Sequence, residues 1–560
     1  ADSGNVNVVA GWDSVVAALA NPLTDIIAGV DMHTGIFGVA GSFGKNNGSV
    51  TISNATGAAA VGSRFGETNV AAYDVTLTGT SGGLAQIGYF GAGDGDGDIR
   101  VKALDKVSLQ AGDKYDQAHA QIGHGGYQVV GNKGGDITVE AGNGVTLTAD
   151  QVGTGRFGGA QIGHGGRGAT SQPNNYEGAI TVDGGAGPVD LVAGLTSGSQ
   201  DFRYAQIGHG GPYYAWGNFE GDIRVTGSDV NLASGARTYN YARIGHGGWT
   251  GEVNTGDRIG DIYVGTPGEI SIQASPGGGV AVIGHHKNAG AGTIHDANVT
   301  IEAASMDHVF GGSGGDVFEV GSAFAAMMMA NLVGGDISLH ATGAGGLLVN
   351  SGGSMVFTSA NDFNFLSEHD VRFQGSVQNR GDGNINVVAG WDPAKAPLAD
   401  PATGIIADVD LAGDLLGVAG SYGNHYAAVV VDSSSGPVAV GSARGATTVV
   451  GHAVEVLGSD TAGGGYAQIG AAPTAGVSPT GAIAVLAKEG GVNVKGGGAA
   501  SAYAQIGHRS LGATIPALSG GILVDSLGGL VLSGGAGLLS SAQIGHGGNS
   551  GDVGSIGGAV

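Results

Sequence analysis

Cysteine is absent from the chain, and residues of positive charge are few. The 560 residues include no cysteine, and 22 lysines and arginines stand against 47 aspartates and glutamates. The lack of cysteine excludes disulfide bonds and cysteine-ligated zinc, and it suits a large chain that is exported across a cell envelope. The formal net charge of −25 disfavours nucleic acid as a partner, because phosphates require a basic surface. It also disfavours electrostatic binding to anionic membranes.

Long hydrophobic runs are missing too. The longest, residues 323–333, is well short of the roughly 18 residues that a membrane-spanning helix needs, so no membrane insertion is expected. No signal peptide is recognisable at Ala1. Residues 557–560 match the opening of an earlier strand-like segment, 177–180, so the pattern stops partway. We expect the native polypeptide to be longer, or consecutive chains to stack end to end.

Glycine, by contrast, is abundant. The 116 glycines are about three times the usual share. They follow no Gly-X-Y period, which excludes collagen. Apolar residues make up 41% of the chain and alternate in short runs, which argues against disorder. This composition predicts many short strands joined by tight turns.

One short motif recurs along most of the chain. Residues 120–126 read Ala-Gln-Ile-Gly-His-Gly-Gly, and full or looser copies centre on isoleucines 87, 122, 162, 207, 244 and 283, at steps of 35, 40, 45, 37 and 39 residues. Further copies centre on isoleucines 469, 506 and 544. Self-similarity at a period of 20–50 residues is typical of a solenoid.

Two strand-like runs lie between successive copies of the motif. Residues 136–141 and 145–149 each alternate apolar and polar side chains, as a strand with one buried face does. The spacing between the runs is too short for a helical crossover. The sequence therefore predicts an all-β fold, a parallel β-solenoid of about 13–15 coils, with three short strands and a variable loop in each repeat.

A longer repeat is superimposed on the coils. Residues 4–13 return as residues 383–392, so we expect a super-repeat over 1–380 and a second, truncated one over 381–560. Residues 38–44 and 60–66 are predicted to occupy the same slot as the isoleucine motif. Residues 350–380, rich in phenylalanine, are predicted to form an irregular coil. Short helices are expected at 13–19 and 323–332.

The strand pattern also resembles a known family. Residues 135–141 fit Gly–(Asn or Asp)–Ile–x–Val–x–Ala, and residues 145–149 fit the Val–x–Leu–x–Ala that follows it. This pattern is similar to the β-strand repeats of filamentous haemagglutinin-like exoproteins, which are giant bacterial surface adhesins. The resemblance implies a right-handed parallel β-helix, an extracellular or cell-surface location, and adhesive or scaffolding work.

The histidines of the motif are the first candidates for chemistry. Seven of them share one slot: His124, His164, His209, His246, His285, His508 and His546. Stacked in register, they would form a row that binds a metal or senses pH. The alternative is structural, with each ring bonded to the backbone of the next coil. No carboxylate recurs beside the histidine, which favours the structural interpretation.

Aspartates form a second recurring set: Asp98, Asp136, Asp222, Asp261 and Asp336 each precede a first strand. Because an active site needs one converging set of groups, repetition favours hydrogen bonds to turn amides. Two glycine-rich stretches resemble calcium-binding loops. One runs from Gly93 to Asp98 and the other from Gly311 to Phe318. The alternative for both is an acidic turn.

Carbohydrate chemistry is the rival hypothesis, because parallel β-helices include polysaccharide-cleaving enzymes. The carboxylates that match no repeat are Glu67, Asp74, Glu252 and Glu368. Nothing in the sequence brings them together. Aromatic residues that follow the motif either form a sugar-stacking stripe or pack the loop roots: Tyr127, Tyr213, Tyr214, Trp216 and Trp249.

The sequence thus predicts a structural or adhesive segment of an extracellular filament, with no catalytic residue, cofactor or metal. Its expected partners are further copies of the same chain, stacked end to end, and surface glycans. A carbohydrate-binding or polysaccharide-cleaving β-helix is the alternative.

Overall fold

The chain forms two compact units, residues Ala1–Ala297 and Asn298–Val560. The structure is a computed structural model that describes residues 3–19, 30–54, 57–80, 82–112, 118–126, 130–149, 158–166, 174–194, 202–211, 217–235, 240–248, 256–273, 279–286, 293–295, 297–307, 318–320, 334–351, 354–472, 478–509 and 518–547. Each unit is a parallel β-solenoid, as the repeats predicted.

In the first unit, each coil passes through four ladders of parallel strands. The first ladder consists of β1 (Val6–Val9), β4 (Thr68–Ala72), β8 (Ile99–Ala103), β12 (Ile137–Ala141), β16 (Ile180–Asp183), β20 (Ile223–Thr226) and β24 (Ile262–Gly265). The second consists of β2 (Val50–Ser53), β5 (Val75–Thr78), β9 (Val107–Gln110), β13 (Val145–Thr148), β17 (Val189–Val192), β21 (Val230–Ala233) and β25 (Glu269–Gln273).

The recurring isoleucine motif forms the third ladder, and a strand that the sequence did not reveal forms the fourth. The third consists of β3 (Ala59–Val61), β6 (Leu84–Ile87), β10 (His119–Ile122), β14 (Gly159–Ile162), β18 (Tyr204–Ile207), β22 (Tyr241–Ile244) and β26 (Val280–Ile283). The fourth consists of the two-residue strands β7 (Gly95–Asp96), β11 (Lys133–Gly134), β15 (Tyr176–Glu177), β19 (Phe219–Glu220), β23 (Arg258–Ile259) and β27 (Ile294–His295).

Side-chain alternation sets the register of the first ladder. Ile137 pairs with Ile99 on one neighbouring strand and with Ile180 on the other. These isoleucines are fully buried, whereas Arg100 and Thr138, the next residues along, are half-exposed. A shift of one residue would turn every isoleucine to solvent, so the hydrophobic effect fixes this register.

The second unit has three ladders. The first holds β28 (Val299–Ala303), β31 (Ile337–Ala341), β34 (Phe363–Ser367), β37 (Ile385–Ala389), β44 (Ile522–Ser526) and the opening halves of β40 (Thr447–Leu457) and β42 (Ile483–Lys495). The second holds β29 (Ser305–Asp307), β30 (Phe318–Val320), β32 (Leu347–Val349), β35 (Val371–Phe373), β38 (Ala428–Asp432), the closing halves of β40 and β42, and β45 (Leu530–Ser533). The third holds β33 (Met355–Phe357), β36 (Val377–Asn379), β39 (Val438–Ser442), β41 (Ala467–Ile469), β43 (Ala504–Ile506) and β46 (Ala542–Ile544).

Each unit also carries a lobe, a non-repetitive insertion between a first-ladder and a second-ladder strand. The first lobe comprises the described part of residues 10–49, and the second comprises residues 390–427. Each contains a π-helical turn, His33–Phe37 or Ala412–Leu416. Each also contains a short 3₁₀ turn, Lys45–Asn47 or Asn424–Tyr426. Both pack apolar side chains on the outer face of the first ladder.

The two lobes share internal contacts at an offset of 379 residues. The indole Nε1–H of Trp12 donates to the Ala17 carbonyl at 2.8 Å, and that of Trp391 donates to the Ala396 carbonyl at 2.9 Å. The Ser42 hydroxyl donates to a carbonyl of the first π-helical turn, and Ser421 does the same in the second lobe. The sequence echo is therefore also a structural one.

Several local predictions need correction. Residues 38–44 lie in the first lobe, where Phe43 packs with Met32 and Ile36, and not in the isoleucine slot. Residues 60 and 61 do occupy that slot, since Val61 pairs with Ile87. Residues 13–19 form a turn rather than a helix, because the Asp13 carboxylate accepts the backbone N–H of Val15 at 3.0 Å. Residues 323–332 lie outside the described part of the chain.

The phenylalanine-rich stretch is regular where the structure describes it. Residues 354–379 supply β33 to β36, which pair in register with their neighbours. Phe363 and Phe365 are fully buried with ring centroids 4.5 Å apart, and Phe373 lies 5.3 Å from Phe365. These rings fill the interior of ordinary coils and do not form an excursion from them.

Candidate functional site

The candidate site is the corner that follows each third-ladder strand, where isoleucine, glycine and histidine succeed one another. Gly208 has φ +148°, and a Cβ added there would lie 2.1 Å from the Gly245 carbonyl oxygen of the next coil. Only glycine allows the two backbones to approach this closely. The corner therefore turns sharply and directs the next side chain, His209, inward.

The histidines stack along the corner and form a row of imidazoles, the histidine ladder. Within the first unit, successive rings from His124 to His285 have centroids 4.8–5.0 Å apart and interplanar angles of 2–19°. His508 and His546 stack at 5.0 Å in the second unit. This spacing matches the strand separation of a parallel sheet.

Both nitrogens of each ladder imidazole bond to backbone. The Nδ1 atom of His209 accepts the backbone N–H of His164 at 3.0 Å, and its Nε2 lies 2.8 Å from the Gly178 carbonyl oxygen. The same two bonds recur at His124, His164, His246 and His508. Because Nδ1 faces a donor and Nε2 faces an acceptor, the proton resides on Nε2 and the ring is neutral.

Burial enforces the neutral state. It lowers the pKa of His124, His209, His285 and His508 to about 4, although the backbone carbonyl at Nε2 partly opposes the shift. For His164 and His246, burial lowers the pKa well below 6.5, and the neighbouring histidines lower it further. A metal would have to displace one backbone bond at each ring, so the geometry matches the structural interpretation of the ladder.

The glutamine of the motif has a role that the sequence did not reveal. The side-chain amide of Gln161 donates to the carbonyls of Gly208 and Gly210 on the next coil, at 3.0 and 2.5 Å. Its own oxygen accepts the Tyr204 hydroxyl at 3.4 Å. Equivalent bonds to the next coil recur at Gln86, Gln121, Gln206, Gln468 and Gln505.

The recurring aspartates bond to backbone amides, as expected, and those amides belong to the following coil. Asp98 accepts the backbone N–H of Asp136 at 3.0 Å, and Asp136 accepts that of Ala179 at 2.9 Å. Asp222 and Asp336 do the same for Asp261 and Asp362. Asp98, Asp136, Asp222 and Asp336 are thus further links between coils.

The stretch from Gly93 to Asp98 begins in a bend at Gly93, where φ is +87°, and includes β7. Asp94 accepts the backbone N–H of Asn132 at 2.9 Å, so Asp94 and Asp98 both join neighbouring coils, while Asp96 is exposed. Nowhere among the described residues do three or more histidines, aspartates or glutamates group so that they could hold a metal ion. The second calcium-like stretch, Gly311 to Phe318, lies outside the described residues up to 317.

Buried cations lie on strands of the third and fourth ladders, and the sequence did not single them out. The Nζ of Lys133 donates to the Gly131 carbonyl at 3.1 Å, and burial lowers its pKa to about 8. The guanidinium of Arg258 lies 3.9 Å from the Phe219 ring centre and donates to the Gly256 carbonyl at 2.6 Å. Burial lowers the pKa of Arg258 to about 9 and that of Arg243 to about 10. Backbone carbonyls and ring faces hold these cations.

The described unmatched carboxylates each have their own local partners. Glu67 lies 3.4 Å from Nε2 of His33, and Asp74 accepts the backbone N–H of Lys106 at 3.2 Å. Both belong to the first unit, whereas Glu368 belongs to the second. Glu252 and the aromatic residues Tyr127, Tyr213, Tyr214, Trp216 and Trp249 lie outside the described part of the chain.

Glu368 nevertheless contributes to a local cluster beneath the second lobe. His340 is buried, with Nδ1 3.2 Å from a Glu302 carboxylate oxygen and Nε2 3.6 Å from one of Glu368. Its ring packs edge-on against Trp391 at 4.6 Å. Burial alone lowers the pKa of His340, but the two carboxylates outweigh that effect, so the net shift is upward.

No protein-family model, no curated protein and no solved structure matches this chain. No helix within the described ranges has the length and apolar character required to cross a membrane. The repeated corner defines the protein as a parallel β-solenoid whose conspicuous polar residues serve contacts between coils.

Proposed function

We propose that this chain is a structural and adhesive segment of an extracellular filament, a non-enzymatic member of the surface β-helix class. One observation carries the proposal: the recurring histidines, glutamines and aspartates bond to the backbone of an adjacent coil, as His209, Gln161 and Asp98 do. These polar groups repeat along the stack, and their hydrogen bonds join one coil to the next. Such an arrangement suits a load-bearing fibre. A reaction centre would instead gather unlike groups at one level.

A second feature supports the addition of a further coil, either from a continuation of the chain or from another copy stacked end to end. β44, β45 and β46 each pair with a neighbour on one side only among the described residues. Leu530 and Leu532 of β45 are 47% and 45% exposed. Their register partners one coil earlier, Val492 and Val494, are 1% and 0% exposed. An apolar coil edge with unpaired strands favours the addition of a further coil.

The strand pattern in residues 135–149 supports a filamentous haemagglutinin-like origin, since the four-ladder coil gives each element of that pattern a defined place. On this proposal the chain is exported and lies at the cell surface or in the surrounding matrix. Its lobes and loops then meet partners, while the coils supply length and stiffness.

Cryo-electron microscopy of the protein as it occurs on its native cells tests the proposal. We expect fibres with a repeat of about 4.8 Å along the axis, and surface labelling of intact cells by an antibody against the chain. Discrete particles inside the cell, with no fibre and no surface label, would refute it.

Carbohydrate binding is the second candidate function, and one groove in the first unit favours it.

A further inference from the structure

A groove runs between the first lobe and the outer face of the first ladder. Its volume is about 310 Å³, and its lining includes His33 and Phe37 of the lobe together with Arg100, Lys102 and Glu140 of the ladder. This volume falls at the lower end of the range of about 300–1,000 Å³ that small-molecule sites occupy. One sugar ring with its substituents fits a space of this size.

The polar groups of the groove are not fully used. The side chain of Arg100 forms no hydrogen bond or ion pair with any described residue, and its Nε is buried without a partner. Asn69, which pairs with Arg100 in the ladder register, likewise has a buried Oδ1 without a partner. A buried guanidinium nitrogen without an acceptor carries a desolvation cost. A ligand that supplies an acceptor would remove that cost.

The two walls of the groove differ in character. Arg100 and Lys102 lie two residues apart on one strand, so both point to the outer face, about 6.6 Å apart along it. Lys102 also contacts Glu140 at 2.7 Å. The opposite wall presents the half-buried ring of Phe37, with His33 edge-on at 6.3 Å. The groove thus combines two cations, a carboxylate that can accept hydrogen bonds from hydroxyl groups, and a flat apolar surface.

The second unit provides an internal comparison, because its lobe and strands repeat the same scaffold. Strand register and the 379-residue offset place Ala484 where Arg100 stands, Leu486 where Lys102 stands, and Leu416 where Phe37 stands. There, Leu416 and Leu486 pack against the apolar cluster of the lobe. The same scaffold therefore packs tightly with apolar residues at these positions. The cations of the first unit are not needed to hold a lobe in place.

We propose that this groove binds a carboxylate-bearing sugar, a uronic acid residue of an acidic polysaccharide. Arg100 pairs with the sugar carboxylate, and Lys102 assists it. The Glu140 carboxylate accepts hydrogen bonds from the sugar hydroxyls, and Phe37 packs against the apolar face of the ring. A sugar acid is the ligand class that uses all four features together. The site is independent of whether the chain forms fibres.

Calorimetric titration of the whole chain with trigalacturonate tests the proposal, with the fully methyl-esterified trimer as the uncharged counterpart. We expect the charged trimer to bind and the ester to bind at least about tenfold more weakly, because it lacks the carboxylate. Absence of binding by the charged trimer, or equal binding by the ester, would overturn the proposal.

Variants locate the binding. The double change Arg100→Ala with Lys102→Leu installs the residues of the second unit, so the fold should be retained, and binding should fall at least about tenfold. Arg100→Gln removes the charge alone and should give a loss in the same direction. Arg224→Ala is the matched control, since Arg224 stands on the same outer face of the ladder but packs over the Tyr263 ring, 4.3 Å from its centre. Unchanged binding in both groove variants would place the sugar elsewhere and refute the site.

Discussion

At the scale of single residues, the histidines of the ladder are structural, because each ring pairs with a backbone N–H and a backbone carbonyl. His209 is fully buried, and its ring lies 4.9 Å from one neighbouring imidazole and 4.8 Å from the other. Its two nitrogens satisfy the His164 N–H and the Gly178 carbonyl. No other side chain of the 20 types offers one acceptor and one donor at this separation on a flat ring. That explains why one residue type recurs at this slot.

Replacement of His209 by alanine should therefore be costly. It leaves a buried N–H and a buried carbonyl unpaired and opens a cavity, so we expect the free energy of unfolding to fall by about 3 kcal/mol. Urea titration followed by circular dichroism measures the change. His33→Ala is the control, because His33 has a side chain 38% exposed, and it should change the free energy by less than about 1 kcal/mol. Equal effects of the two changes would contradict the ladder's role.

The ladder also predicts a stability that depends on pH. The folded-state pKa of His124, His209, His285 and His508 is about 4, below the unfolded value of about 6.5. Between these values the unfolded state binds more protons, so the free energy of unfolding falls as the pH falls from about 6.5 towards 4. Each histidine contributes up to about 1.4 kcal/mol per pH unit.

Melting temperatures recorded between pH 7 and 5 should decline accordingly. Nitrogen chemical shifts in the same samples should show the Nε2–H tautomer, and the rings of His124, His209, His285 and His508 should not titrate near pH 6.5. Titration of any of these four imidazoles at the ordinary pKa of histidine in the folded protein would contradict this prediction.

At the scale of elements, the lobes are the parts that depart from periodicity, and the second is coupled to a titrating group. The pKa of His340 is raised by Glu302 and Glu368, so the charged pairing stabilises the fold fully below the unfolded pKa of about 6.5. That stability is lost as the pH rises through the raised folded value. Trp391, which opens the second lobe, packs on the same ring.

We therefore expect the second lobe to open more often as the pH rises above neutral. Hydrogen exchange of peptides covering residues 405–416 should quicken beyond its intrinsic pH dependence. Residues 30–43 of the first lobe are the internal control, since no described histidine is buried beneath them. His340→Gln should abolish the extra pH dependence. Identical pH profiles for the two lobes would contradict the coupling.

Elements also mark where sequence reasoning succeeds and where it fails. The spacing of isoleucines 122, 162 and 207 predicted the third ladder, because every coil must bury the same face. The fourth ladder was missed, since strands of two residues such as Lys133–Gly134 carry no alternation. The bonds of Gln161 were missed for a related reason: β14 is buried on both faces, so burial does not distinguish the two sides. The lobes follow no period at all, and residues 38–44 were consequently placed in the wrong element.

The groove was invisible for a different reason. Arg100 and Lys102 look like ordinary outward residues of an alternating strand, and Phe37 lies in a lobe more than 60 positions earlier. Only the packing of that lobe on the ladder brings them together. The histidine ladder needed no such information, because its residues recur at one slot on consecutive coils.

At the scale of the whole molecule, the apolar edge formed by β44 to β46 should govern association. Leu532→Glu places a charge on a face that a further coil would cover, so we expect the purified protein to shift towards monomer in sedimentation velocity. Leu104→Glu is the control, because Leu104 is similarly prominent at 44% exposure but lies between β8 and β9, which pair with neighbouring strands on both sides. Association unaffected by Leu532→Glu, or reduced as much by Leu104→Glu, would refute a role for this edge.

The corner bonds give the molecule a direction. The N–H of His164 finds its acceptor on His209, and the amide of Gln161 finds its acceptors at Gly208 and Gly210. The donors of each coil thus find their acceptors on the next coil in sequence. Until that next coil has formed, the backbone N–H and the glutamine amide have no partner. A polypeptide that emerges amino terminus first supplies those acceptors in the order in which they are needed. A coil stacked in the reverse direction would set donor against donor, so we expect these bonds to favour the addition of coils in the order of the sequence.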